Sequence, residues 1–212
     1  MAEIVPTILT ANFSDLTQRL DLLEGICERV QIDITDGKFV SNRTIPLESL
    51  VGQETKLKVD LHLMVKDPEE WVNRALEVLP DRIIGQVEMM NDPKHFINSV
   101  VEGGVAVGIG LDLETAVESV EEEIYRMCDL VLIMSVKAGE GGQSFDPRSV
   151  VKIEQVKKIL GDLGKIAVDG GLNEENILQC KGAGANIFYV GKTFWEAEDL
   201  KIRYNELINF LD

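Results

Sequence analysis

A (β/α)8 TIM barrel is the fold this sequence predicts. Short apolar and β-branched runs alternate with longer stretches of helical period, the alternation that lays strands side by side in a parallel sheet. Eight such runs fit within 212 residues, whereas open doubly wound sheets usually carry only about five or six strands. Acid–proline pairs and glycine clusters fall where helices should start and stop. No linker or low-complexity segment interrupts the rhythm. The expectation is one barrel domain over residues 1–212.

The strands are expected at Ile4–Leu9, Arg29–Ile34, Leu57–Leu63, Arg82–Val87, Val105–Leu111, Leu130–Val136, Lys165–Asp169 and Ile187–Val190. Leu16 to Leu23 carries the first helical period. Asp67-Pro68, Asp92-Pro93 and Asp146-Pro147 each place a capping acid before a proline suited to the first helical position. Gly103-Gly104, Gly161 to Gly164 and Gly182-Ala183-Gly184 mark helix ends. The acidic run Glu118 to Glu123 reads as a solvated helix face, and His95 as a surface helix residue.

Composition narrows the function classes. A hydrophobic content of 45% supports one sizeable core. With 21 Lys+Arg against 37 Asp+Glu, the net charge of -16 repels phosphate backbones and anionic lipid. Nucleic acid and membrane partners are therefore not expected. Cys27, Cys128 and Cys180 are too far apart for a metal cluster or redox motif and read as reduced thiols. The start of the chain lacks a basic region followed by a long apolar stretch, and no apolar run approaches the ~20 residues that span a bilayer. A cytoplasmic location is the resulting expectation.

In a barrel, chemistry gathers on the loops that follow the strands. The predicted strand ends carry Thr7 and Thr10, Gln31 and Asp33, Asp60, His62 and Met64, Glu88, Met134, Asp169, and Gly191-Lys192. Side chains two apart on a strand share a face, so Gln31 with Asp33, and Asp60 with His62 and Met64, should form interior rows. Buried acids there need partners. Taken alone, His62 can be a hydrogen-bonded core residue, Met64 and Met134 ordinary packing, and Lys192 a solvated helix start. Asp60 is expected to orient His62 rather than to react.

Five blocks carry a resemblance. They are Pro6 to Phe13 (PTILTANF), Gln31 to Val40 (QIDITDGKFV), Asp60 to Val65 (DLHLMV), Met134 to Phe145 (MSVKAGEGGQSF) and Val168 to Asn173 (VDGGLN). In order and spacing across nearly the whole chain they resemble the ribulose-phosphate 3-epimerases. The resemblance implies an isomerase acting on a phosphorylated ketose, ribulose 5-phosphate to xylulose 5-phosphate in type. A proton leaves C3 on one face and another returns on the opposite face, through an enediolate. Such a weak carbon acid needs two proton carriers and an electrophile. By matching position the catalytic acids are Asp33 and Asp169, and the divalent metal (Zn, Mn, Fe or Mg) would be held by Asp33, His62 and Asp169, with Gln31 standing where the family has a fourth ligand, a histidine.

Substrate contacts carry over in the same way to Thr7, Met64, Met134, Gly139, Gly141, Gly142, Gln143, Gly170, Gly171, Gly191 and Lys192. The glycines after strands six to eight supply amides suited to phosphate. Several positions depart from the family pattern. Thr35 stands for a methionine and Thr7 for a serine. Glu140 replaces an aromatic lid residue, and Lys192 replaces the usual serine. An amide oxygen is a poorer ligand than imidazole for zinc-like ions, so Gln31 weakens metal binding. The alternative is a non-catalytic or altered-specificity sugar-phosphate-binding barrel that has lost the standard metal site. An aldolase or decarboxylase of a neighbouring barrel group would require an Asp-x-Lys-x-x-Asp pattern, which neither Asp33 nor Asp60 begins. Family members often pair subunits, so a homo-oligomer is among the expected assemblies.

Overall fold

The computed structural model describes residues 2–139 and 141–211. Eight parallel strands close into a barrel in chain order. They are β1 (Glu3–Ile8), β2 (Arg29–Thr35), β3 (Lys58–Met64), β4 (Arg82–Gln86), β5 (Ala106–Leu111), β6 (Leu130–Met134), β7 (Ile166–Asp169) and β8 (Ile187–Val190). The expected strands all form, with ends moved by at most two residues. The closing contact pairs β1 with β8 over Glu3 to Pro6. Closure leaves no sheet edge exposed.

The barrel buries two apolar layers. Inside it, Val5, Met64, Ile84, Leu130, Leu132, Met134, Ala167 and Ile187 form one cluster. Outside it, the alternate strand residues, such as Ile32, Ile34, Leu61, Leu63, Ile83 and Val168, pack against the helices in a second, larger one. Strands buried on both faces explain why their sequences read as continuous apolar runs.

The helices follow from local signals. α1 (Phe13–Leu23) is capped by the Asn12 side chain, which accepts from Ser14 N and Asp15 N. Its Leu16, Leu20 and Leu23, spaced four and three apart, form the buried stripe. Each such leucine contributes roughly 1.5–3 kcal/mol relative to exposure. In α3 (Pro93–Glu102), Asp92 caps His95 N at 3.0 Å, as the Asp-Pro signal predicts. Between these, the Asp67-Pro68 signal misleads. Asp67 is left-handed (φ 52°) with no side-chain cap, and Pro68–Trp71 is a 3₁₀ turn leading into the short α2 (Val72–Leu76). Its carboxylate is drawn away to Asn91 Nδ2 at 2.7 Å. The β2–β3 connection carries only a 3₁₀ turn, Leu47–Leu50.

α4 (Glu122–Met127) and α5 (Arg148–Leu160) follow β5 and β6. Asp146 accepts from Arg148 N at 2.9 Å, but the helix starts at Arg148, one residue later than the Asp-Pro signal places it. α6 (Glu174–Ala183), α7 (Lys192–Trp195) and α8 (Leu200–Asn209) complete the ring. Among the described residues no helix is long and apolar enough to cross a membrane.

Candidate active site

The strand register brings the interior rows together. Asp33 sits opposite His62 across β2 and β3, and Gln31 opposite Asp60. Asp169, the last residue of β7, pairs in register with Met134 and Tyr189. Gln31 and His62 are wholly buried and Asp33 is 6% exposed. The Gln31 amide nitrogen bridges the two acids, donating to Asp33 Oδ1 at 2.9 Å and to Asp169 Oδ2 at 2.7 Å. His62 Nδ1 lies 3.0 Å from Asp33 Oδ1.

These groups sit at the floor of a cavity of about 980 Å³. Thr7, Asp33, Met64, Met134, Gly139, Gly141, Gly142, Gln143, Asp169, Gly170, Gly171, Gly191 and Lys192 all line it. Gln31 and His62, both wholly buried, contact the two acids without lining the cavity themselves. Met64 and Met134, 2% and 3% exposed, give the wall an apolar patch beside the acids.

The cavity mouth is built by contacts between loops. Asn42 Nδ2, after β2, donates to Gly139 O, after β6, at 2.6 Å. A Cβ at Gly171 would lie 2.5 Å from Phe145 N, so the loop after β6 crosses directly over the β7 loop, and φ of 59° also favours glycine there. Thr7 Oγ1 would be 3.1 Å from a Cβ at Gly191, which places its hydroxyl beside the β8 end. Lys192 is exposed and its ammonium stands 3.7 Å from Glu196. Glu140, the residue at the aromatic lid position, lies outside the described residues.

Electrostatics single out the acid pair. Burial, and next the nearby Asp33 carboxylate, push Asp169 up to about 7, against the opposing effects of His62 and the Gln31 amide. Among the described residues no Lys or Arg pairs with either acid. Their carboxylate oxygens and the His62 nitrogen lie within 4.8 Å of one another, a donor set able to hold a metal ion. Gln31 Oε1 is buried without a hydrogen-bond partner, so the acceptor end of that amide is uncommitted.

The matching family model, described as the ribulose-phosphate 3 epimerase family, covers residues 3–195. The chain belongs to that family. The Bacillus subtilis ribulose-phosphate 3-epimerase is 33% identical, covering 98% of both chains. The Synechocystis enzyme of the same name is 35% identical, over 92% of this chain and 87% of its own, and that of Chlamydia trachomatis 30% identical over 97% and 91%. Among solved structures, a tryptophan synthase α-subunit variant from Pyrococcus furiosus superposes with a TM-score of 0.71 at 14% identity, covering 100% of this chain and 99% of that one. The orotidine 5'-phosphate decarboxylase of Pyrococcus horikoshii superposes with a TM-score of 0.68 at 10% identity, covering 98% of each chain. Those two likenesses show the barrel alone.

This epimerase-family barrel places one residue differently from expectation. Asp60 does not orient His62. It bonds Arg29 Nη1, Arg82 Nη1 and Tyr189 Oη at 2.5, 2.8 and 2.7 Å, one layer below. A spacing of two puts both side chains inside, but the rise along the strand separates them into different layers. His62 is met instead by Gln86, whose amide is 3.2 Å from Nε2. A polar amide ending the apolar run Arg82-Ile83-Ile84-Gly85-Gln86, two residues before Glu88, is the signal that marks it. Arg19 of α1 and Trp195 of α7 also line the cavity, with the guanidinium 4.8 Å from the indole centroid. Nothing in their separate segments announces that pairing.

Proposed function

We propose that this protein is a ketose-phosphate 3-epimerase, interconverting ribulose 5-phosphate and xylulose 5-phosphate. The observation that carries the reading is the acid pair: Asp33 and Asp169 come from strands on different sides of the barrel and meet at the floor of one cavity. Epimerisation needs one ionised and one protonated carrier at the outset, because a proton is removed from one face of C3 and another is given to the opposite face. Two acids this close, one buried and the other partly so, hold one proton between them more readily than none, and desolvation biases Asp169 toward keeping it.

Asp33, His62 and Asp169 are the residues that would hold a divalent ion (Zn, Mn, Fe or Mg); the Gln31 amide nitrogen faces both acids, so its unpartnered Oε1 would serve as a fourth, weaker ligand only with the amide turned over. Such an ion supplies Lewis-acid stabilisation of the charge that develops on the substrate oxygens. Met64 and Met134 exclude water from the face of the enediolate. The substrate's phosphate is taken by the backbone amides around Gly142, Gly171 and Gly191, with Lys192 supplying a cation at the rim. Thr7 offers a hydroxyl to the sugar, and Gly139, Gly141, Gln143 and Gly170 complete its surroundings.

The second reading, a sugar-phosphate-binding barrel without turnover, draws on the Gln31 amide nitrogen, which occupies both carboxylates as a neutral donor. Turnover of a ketose-phosphate panel, with and without added divalent metal, separates the two. Epimerisation of ribulose 5-phosphate that rises with metal supports the enzyme. Tight binding with no turnover under any metal supports the binding protein.

A further inference from the structure

We infer that Gln86, held by Glu88, fixes the tautomer of His62 and presents its Nδ1 lone pair to the space between Asp33 and Asp169. This assignment rests on the reading of that space as a cation site, and the test below separates the two.

Gln86 ends β4 and is wholly buried. Its neighbour in register on β5 is Gly110, where a Cβ would come within 3.0 Å of the carboxamide. The missing side chain makes the space this amide fills. With its oxygen toward the imidazole, Gln86 accepts from His62 Nε2 at 3.2 Å, while its nitrogen donates to Gly110 O and Glu88 Oε2, each at 2.9 Å. The opposite orientation would set the amide oxygen against two acceptors, so the surroundings select one orientation. Glu88 is itself anchored, its other oxygen accepting from Asp112 N at 2.7 Å.

The consequence runs inward along one line. The proton sits on Nε2, so the nitrogen that faces Asp33 Oδ1 at 3.0 Å bears a lone pair. Two lone pairs at that distance repel unless a cation, or in its absence the proton that the acid pair shares, lies between them. Gln86 is thus a positioning residue: it acts through His62, and it fixes which ring nitrogen is left to serve as a ligand. Glu88 and Gly110 set the amide that sets the ring.

The chain has two histidines, so His95→Gln, a change at an exposed helix position, leaves His62 as the single imidazole for 15N NMR of chelator-treated full-length protein. The expected spectrum shows a protonated Nε2 and a bare Nδ1, and a protonated Nδ1 would overturn the inference. Gln86→Leu should lose that preference and weaken manganese binding, measured without substrate, by about ten to a hundredfold. An unchanged tautomer and unchanged manganese affinity in that variant would also overturn it. Should Gln86→Leu not fold, Gly110→Ala crowds the same amide while keeping it, with the same expected and overturning results. The paired exchange Gln86→Glu with Glu88→Gln keeps an acceptor on the ring and a donor behind it. It should restore both readouts, and restoration of neither marks a packing role and overturns the inference. If the parent shows the Nε2–H form and Gln86→Leu loses it, yet neither protein binds manganese, the positioning role is supported and the cation reading alone fails.

Discussion

Two polar clusters are buried inside the same barrel, one layer apart, and they solve the problem of burial differently. In the lower one, Asp60 is fully buried between Arg29 and Arg82, with the Tyr189 hydroxyl as a further donor. Its charge is more than offset, and burial alone would lower the Arg82 pKa, yet Asp60 and Tyr189 turn it upward. In the upper one, Asp33 and Asp169 share a neutral amide and the His62 ring, and Asp169 is driven up toward neutrality. A cluster with its charges matched holds the barrel together. A cluster left short of positive charge is strained toward taking up a proton or a cation, which is the condition that proton transfer needs.

The largest expected effect lies in the upper cluster. Asp169→Asn should slow solvent-deuterium exchange at C3 of ribulose 5-phosphate by about a hundred- to ten-thousandfold, the usual worth of a positioned proton carrier; unchanged exchange would remove the acid pair from the chemistry. The same variant should leave stability intact or raise it near neutral pH, because the folded metal-free protein keeps a proton up to about 7 on a group that the unfolded chain releases above about 4. More protons bound in the folded state means that stability falls as pH rises across that window. Asp169→Asn should flatten that fall, as denaturant midpoints at several pH values would record.

In the lower cluster the order is reversed. Asp60→Asn leaves the buried Arg82 and the partly buried Arg29 facing a neutral amide and should cost about 3–5 kcal/mol in denaturant unfolding, with the kcat of whatever protein stays folded little changed. Loss of turnover without loss of stability would merge the two clusters into one functional unit. Tyr189→Phe removes the hydroxyl that donates to Asp60 and accepts from Arg82 Nη1 at 3.3 Å and should cost roughly 1.5–3 kcal/mol, the value of a hydrogen bond to a charged group. Back at the upper cluster, Gln31→His supplies a nitrogen in the same interior row and should tighten zinc or manganese binding by at least about tenfold. Equal affinity in calorimetric titrations of the two proteins would mean that Asp33, His62 and Asp169 do not converge on an ion.

Much of this architecture was legible in the chain. The alternation of apolar runs and helical stretches, with Asp92 and the helix-ending Gly161 and Gly184 as punctuation, determines the barrel, because strand burial and helix caps are local properties with local signatures. The motif blocks around Asp33, His62 and Asp169 equally fix which residues to inspect. What the sequence could not decide is partnership. Asp60 and His62 are two residues apart and share a face, yet one belongs to an ion-pair layer and the other to the acid pair, since strand rise and barrel register assign each to a different level. Gln86 and Glu88 acquire meaning only when β4 lies beside β3 and β5. Asp67 carries a capping signal, but its carboxylate turns to Asn91. Local propensity depends on neighbours in the chain and so can be read from it, whereas charge balance and hydrogen-bond direction at the barrel centre depend on side chains brought together from distant strands, which only the closed sheet specifies.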